Sequence, residues 1–170
     1  MKKLIVAVFA LSALAVTAQE APKVTSAIIA LRGNELVEAK GFIDEASSII
    51  EGKNQSEIKE KIMSKFFYNK ALIYAKIAGS QDAAVQALAE DANDVAATSL
   101  LDLIKFESTL KKPRYTEDAK REIPTIAYNY LVAAGAAYEA SDYTDAYNGY
   151  MSAFELKSNE LLGDFAQLDT

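Results

Sequence analysis

The sequence predicts an all-α protein of antiparallel helical hairpins, and three observations carry that prediction. Apolar residues recur at helical spacing almost throughout. No sustained alternating run of β-branched residues marks a strand. Breakers are scarce, with seven glycines and three prolines in 170 residues. A chain of this length makes one domain, and 51% hydrophobic with 25% charged residues suits a packed core rather than disorder.

The N-terminus reads as an export signal. Met1-Lys2-Lys3 is cationic, Leu4 to Val16 is an uncharged apolar run, and Val16-Thr17-Ala18 sets small residues for cleavage before Gln19. This run of thirteen residues falls short of the roughly 20 that a membrane-spanning helix needs. The expected division is a cleavable signal over 1–18, a helical repeat domain over 19–157 and a tail over 158–170. There is no cysteine to carry a lipid anchor or a disulfide, so the mature chain is expected to be soluble once the signal is cleaved. Cleavage also removes Lys2 and Lys3, leaving 16 basic against 24 acidic residues, a net of −8. Such a surface repels phosphate backbones and argues against nucleic acid as a partner.

Along the mature chain, Val24 to Leu31 predicts a short amphipathic helix stopped by Gly33-Asn34. A second helix, about Glu35 to Ile50, lines Leu36, Ala39, Ile43, Ala46 and Ile50 along one face, and Gly52 suits a left-handed cap after it. Ser56-Glu57 offers a cap and an acidic first turn for a helix through Ala78, broken by Gly79-Ser80. Residues 81–110 divide into a short helix near Asp82–Glu90 and a longer one from about Asn93 to Leu110. Lys111 to Tyr115 is a loop, after which Thr116 can cap a helix running to about Ala140, with Pro124 as a kink or fresh start. Ser141 to Thr144 is a tight turn, and Asp142 or Thr144 caps a last helix from Asp145 to about Lys157. Helices joined by such short turns are antiparallel neighbours.

Two of these helices share a pattern. Ala39, Ile43 and Ala46 read small, large, small over two turns, and so do Ala146, Tyr150 and Ala153. Such a face lets a neighbouring helix approach closely while one bulky side chain fills the groove. Small residues, Ala71 and Ala134, also sit midway along the preceding helices, which is self-similarity of a helical-repeat kind.

The segment Tyr130 to Leu156 resembles a tetratricopeptide repeat (TPR). Tyr130, Ala134 and Tyr138 match the first helix, Ser141-Asp142-Tyr143 the turn, and Ala146, Tyr150 and Ala153 the second helix. Phe67, Ala71 and Tyr74 match the first helix of another repeat, and residues 24–46 give a weaker third match. The chain is thereby similar to exported TPR proteins of Gram-negative bacteria, which implies hairpins stacked as a right-handed solenoid and location in the periplasm or outside the cell. It departs from the pattern in three places. The terminal proline is replaced by Lys157-Ser158, the turn of the first repeat (Gly33 to Glu38) has one residue too many, and the central repeat is expanded, with Ala97 lying 23 residues past Tyr74. After Lys157 only a fragment of helical pattern remains, so the tail either folds back over Asn159–Leu168 as a cap or begins a further repeat.

Catalytic options are few. Without His or Cys there is no imidazole base, activated thiol or usual zinc or haem ligand set, and the dispersed glycines form no phosphate loop. No cofactor, metal or catalytic residue is expected. The clusters Glu90, Asp91, Asp94 and Asp142, Asp145 read as helix caps and solvated ends rather than acid–base pairs.

Six of the nine tyrosines lie between Tyr128 and Tyr150, and helix-face spacing makes most of them packing residues. Tyr128, off that register, suits a surface role. TPR ligands lie along the first helices, which by resemblance nominates Lys65, Tyr68, Leu72 and Lys76, with Tyr128, Leu131 and Tyr138, as partner-binding residues. Lys65 and Lys76 would take an acidic side chain or a peptide carboxylate. The leading expectation is therefore a non-catalytic binding scaffold for a protein or peptide. The alternative is a structural component that self-associates or packs against further domains of a longer chain, and the least favoured is an enzyme working with carboxylates alone.

Overall fold

The computed structural model describes residues 19–162, so the expected signal and residues 163–170 of the tail lie outside the described residues. Among the described residues there are seven α-helices and no strand. They are α1 (Glu20–Arg32), α2 (Leu36–Glu51), α3 (Glu60–Ala78), the single turn α4 (Ala83–Gln86), α5 (Ala92–Ser108), α6 (Thr116–Glu139) and α7 (Tyr143–Lys157). None is long and apolar enough to cross a membrane.

The helices pack as three hairpins, α1 with α2, α3 with α5, and α6 with α7. Each later hairpin enters through its first helix. Thus α3 packs on both α1 and α2, and α6 packs on both α5 and α3. The core runs through all these contacts, with Ile43, Ile73, Ile77, Leu100, Leu103 and Ile126 fully buried. Each such side chain contributes about 1.5–3 kcal/mol relative to exposure. Ala39, Ile43 and Ala46 lie completely buried along one face of α2, where the 3.6-residue period places them.

The first and last hairpins turn by the same device. After α1, Asn34 adopts φ 60° while Glu35 N–H donates to Ala30 O (2.9 Å) and Asn34 N–H to Leu31 O (3.1 Å). After α6, Ser141 adopts φ 66° while Asp142 N–H donates to Ala137 O (2.9 Å) and Ser141 N–H to Tyr138 O (3.0 Å). Both are Schellman turns, closing the orphan carbonyls of one helix and launching the next. The left-handed residue is Asn or Ser rather than glycine. Gly52, expected to be left-handed after α2, has φ −78°.

Helix starts depart most from expectation. Ser56 and Glu57 lie in a 3₁₀ turn, Gln55–Glu57, and α3 begins at Glu60 with Lys59 before it and no side-chain cap. The short helix expected over 82–90 is only the turn Ala83–Gln86, capped by the Asp82 carboxylate accepting from Ala84 N–H. Thr116 does not cap α6 but is its first residue, and Pro124 sits inside that helix without ending it. Asp142 does cap α7, accepting from Asp145 N–H at 3.1 Å.

What holds the start of α6 comes from the helix before it. Glu107, near the end of α5 and 1% exposed, turns one carboxylate oxygen onto the loop. That oxygen accepts the backbone N–H groups of Arg114, Tyr115 and Thr116 at 2.9 Å each and the Thr116 hydroxyl at 2.8 Å. The other oxygen faces the fully buried Ser64 Oγ of α3 without good hydrogen-bond geometry. Burial pushes the Glu107 carboxyl upward, but these donors outweigh it and hold the group below the usual carboxylate range.

Candidate functional site

The row of first helices leaves a groove. It measures about 630 Å³ and is floored by Leu31, Leu72 and Ala75, with Arg32, Lys76 and Glu122 around them. Its walls come from α1, α3 and α6, so all three hairpins contribute. The groove is fixed at its lower end by Asn129, whose Nδ2 donates to Ala75 O at 3.0 Å and so pins α6 to α3. Gly79 permits this approach, since a Cβ there would lie 2.9 Å from Asn129 Oδ1.

Two of the partner-binding residues expected on α3, Leu72 and Lys76, line this groove. Arg32 and Lys76 have no carboxylate within 4 Å among the described residues. Glu122 has its carboxyl raised by burial and by the nearby Asp118, against the opposing pull of Arg121. Tyr68 lies further along α3, stacked on Tyr115 at 5.0 Å, and burial together with Glu122 and Asp118 raises its hydroxyl. It borders α6 rather than opening onto the groove. Lys65 is half-buried one turn before it and is not among the groove residues.

Tyr128, Leu131 and Tyr138 are separated from that stripe. They stand 65%, 44% and 60% exposed on a different face of α6, which gives Glu122, Thr125 and Asn129 to the groove instead. Spacing alone nominated Arg32, Glu122 and Asn129 nowhere, because the faces of α1 and α6 that meet α3 depend on how the hairpins stack.

Among the expected packing residues, Ala71, Tyr74, Tyr130, Ala134, Ala146 and Ala153 are buried and Phe67 is half-buried against Phe106 (6.1 Å). Tyr150 is the correction. Spacing predicts that it wedges between Ala146 and Ala153, yet it stands 45% exposed, because Gly149 faces α6 in its place and, among the described residues, no helix packs on the other side of α7. Phe67 and Tyr130, matched by spacing, also play different parts. Tyr130 OH donates to Asp94 of α5 at 2.5 Å, and the corresponding bond is made by Tyr74 OH to Asp44 of α2 at 2.6 Å. Each bond joins a first helix to the second helix of the preceding hairpin. Burial, and then the facing carboxylate, raises both hydroxyls far above their usual range. Asp94 is thereby a structural acceptor.

A larger cleft, about 800 Å³, lies between Ile50, Ile58, Met63 and Phe67 on one side and Phe106 and Leu110 on the other. Lys53 at its edge is already paired with the buried Glu20 at 2.7 Å, which ties the end of α2 to the start of α1. Lys105 in this cleft also makes no ion pair among the described residues. Only the smaller groove, however, sets two such cations, Arg32 and Lys76, beside its apolar floor and draws on all three hairpins, which makes it the stronger binding candidate. No three metal-binding carboxylates converge among the described residues. Comparison with protein-family models, curated proteins and solved structures finds no match for this chain.

Proposed function

We propose that the protein is an exported, non-catalytic scaffold of TPR type, stacked as a right-handed solenoid, that binds a protein or peptide partner in the bacterial cell envelope. The observation that carries this reading is the groove between α1, α3 and α6, where apolar Leu31 and Leu72 lie beside the unpaired Arg32 and Lys76. A peptide would lay an apolar side chain over the leucines and bring a carboxylate to the cations. The hairpin order, with first helices packed side by side, and the repeat-like residues of 130–156 add support. The export half of the proposal rests on the 1–18 segment, and the periplasm is the compartment it favours over the extracellular space.

The test places a photo-crosslinking amino acid at Leu72, or at Ile29 as an exposed control, in the protein expressed in its native host. Leu72 is expected to capture a discrete envelope partner, lost on Lys76→Glu, while Ile29 captures none. Equal capture from both positions, or retention with Lys76→Glu, would rule the groove out.

A further inference from the structure

The last hairpin carries an apolar face that nothing in the described chain covers. Along α7, Tyr143, Tyr147, Tyr150 and Phe154 recur at helical spacing and stand 62%, 65%, 45% and 66% exposed. The contact line of α7 with α6 passes instead through Ala146, Gly149 and Ala153, so this stripe lies a quarter-turn to one side of it. On α6, Tyr128, Leu131 and Tyr138 lie a similar turn from Ala127 and Ala134. Because the two helices are antiparallel, both stripes fall on the same side of the hairpin. Tyr138 and Tyr143 meet edge-on at 5.5 Å and join them into one surface.

We infer that this α6–α7 face binds a second copy of the chain, forming a two-fold symmetric dimer. The area is sufficient. Six aromatic side chains at these exposures, of about 200 Å² each, leave roughly 700 Å² open. Leu131 and Val132 of α6, exposed by 44% and 50%, extend it. A specific interface takes about 800 Å² from each partner, and the largest apolar patch on a monomer is about 300–600 Å².

The chemistry favours self over another occupant. The chain is acidic, so most approaches by a second copy bring carboxylates together. No charged residue interrupts the α7 stripe between Tyr143 and Phe154; Lys157, one turn beyond Phe154, bounds its end, and Asp145 and Glu155 turn to other faces of the helix. Tyrosine is also self-complementary, offering a ring face together with a hydroxyl that both donates and accepts, as a two-fold contact requires. Residues 163–170 bring only Phe165 and Leu168 as large apolar side chains, too few for six rings.

Sedimentation velocity on residues 19–170 across the micromolar range tests the proposal. The chain should shift from monomer to dimer with concentration, and Tyr147→Glu with Phe154→Glu should raise the midpoint at least ~100-fold. Far-UV circular dichroism checks that this variant folds. Ile29→Glu, at a 64% exposed site in the first hairpin, should leave the midpoint unchanged. Since the chain has no cysteine, Tyr150→Cys gives a second readout that does not depend on the charged variant. It should yield a disulfide-linked dimer on mild oxidation, whereas Ile29→Cys should not. A chain that stays monomeric throughout overturns the inference, as does a dimer indifferent to the double substitution or crosslinked equally from Ile29→Cys. A dimer that appears only after truncation at Leu162 would assign the face to the chain's own tail and overturns it too.

Discussion

Glu107→Gln tests the strongest polar element of the fold with almost no change in shape. In the wild type one carboxylate oxygen accepts three backbone N–H groups and a hydroxyl, all at 2.8–2.9 Å and all on the loop that starts α6. Hydrogen bonds to a charged acceptor contribute about 1.5–3 kcal/mol each against about 0.5–1.5 for neutral ones. The amide keeps an acceptor but loses the charge, and four shared bonds are not additive, so a loss of about 2–3 kcal/mol is expected. Glu107→Ala leaves the N–H groups without any acceptor and opens a cavity, for about 4–5 kcal/mol. Against a typical total of about 5–15 kcal/mol, either is readily measured.

The assay is urea unfolding of residues 19–170 by circular dichroism, with the midpoint lowered and the slope unchanged. Acidity supplies a second check. The folded-state pKa of Glu107 lies below its unfolded value, so its stabilisation is complete above about pH 4.5 and is lost as pH falls through the folded value. The gap between wild type and Glu107→Gln should therefore be constant near neutrality and close only in acid. A Gln variant as stable as wild type at pH 7, or a gap that persists unchanged into strong acid, would refute the account.

Glycines give a paired test. Gly149→Ala would put a Cβ 2.9 Å from the Ala134 Cβ and force α7 off α6, which outweighs the gain in helix propensity and costs about 1–2 kcal/mol. Gly135→Ala, one residue from that contact but with nothing within 4 Å of the new Cβ, should instead stabilise by about 0.5–1 kcal/mol in the same unfolding assay. The tyrosine–carboxylate bonds give an alkaline test. Tyr74 and Tyr130 should be among the last to ionise in an ultraviolet titration, and because their folded pKa values are raised, their contribution falls as pH rises past the unfolded value of about 10. Tyr74→Phe or Tyr130→Phe should each lower stability by about 1 kcal/mol near neutrality and flatten that alkaline loss.

Periodicity made the helices legible, and its limits explain the misses. The face of α2 was readable because Ala39, Ile43 and Ala46 must meet something, and the 3.6-residue repeat says which side. The start of α6 was not, because its caps come from Glu107, seven to nine residues back and on another helix. Local rules assigned the role to Thr116, which does bond there, but as a donor to the same carboxylate. The groove shows a similar division. Leu72 and Lys76 follow from the register of α3, whereas Arg32, Glu122 and Asn129 depend on the stacking of whole hairpins. Tyr150 shows the opposite limit, since its helical spacing points to core although no element among the described residues packs against it.

The joints between hairpins carry the last step. Asp44 with Tyr74 and Asp94 with Tyr130 are 30 and 36 residues apart in sequence, yet each links a second helix to the first helix that follows. The longer separation accommodates the loop that Glu107 organises before α6. A fold held by the same joint at each step is stabilised through nearest neighbours, so an end hairpin with one neighbour is its weakest unit. The first hairpin meets this with the buried Glu20–Lys53 pair closing α1 on α2. The last hairpin has no such closure among the described residues; what it presents instead is the aromatic face of α6 and α7. Covering that face with a second copy would give α7 the second neighbour that α2 and α5 already have.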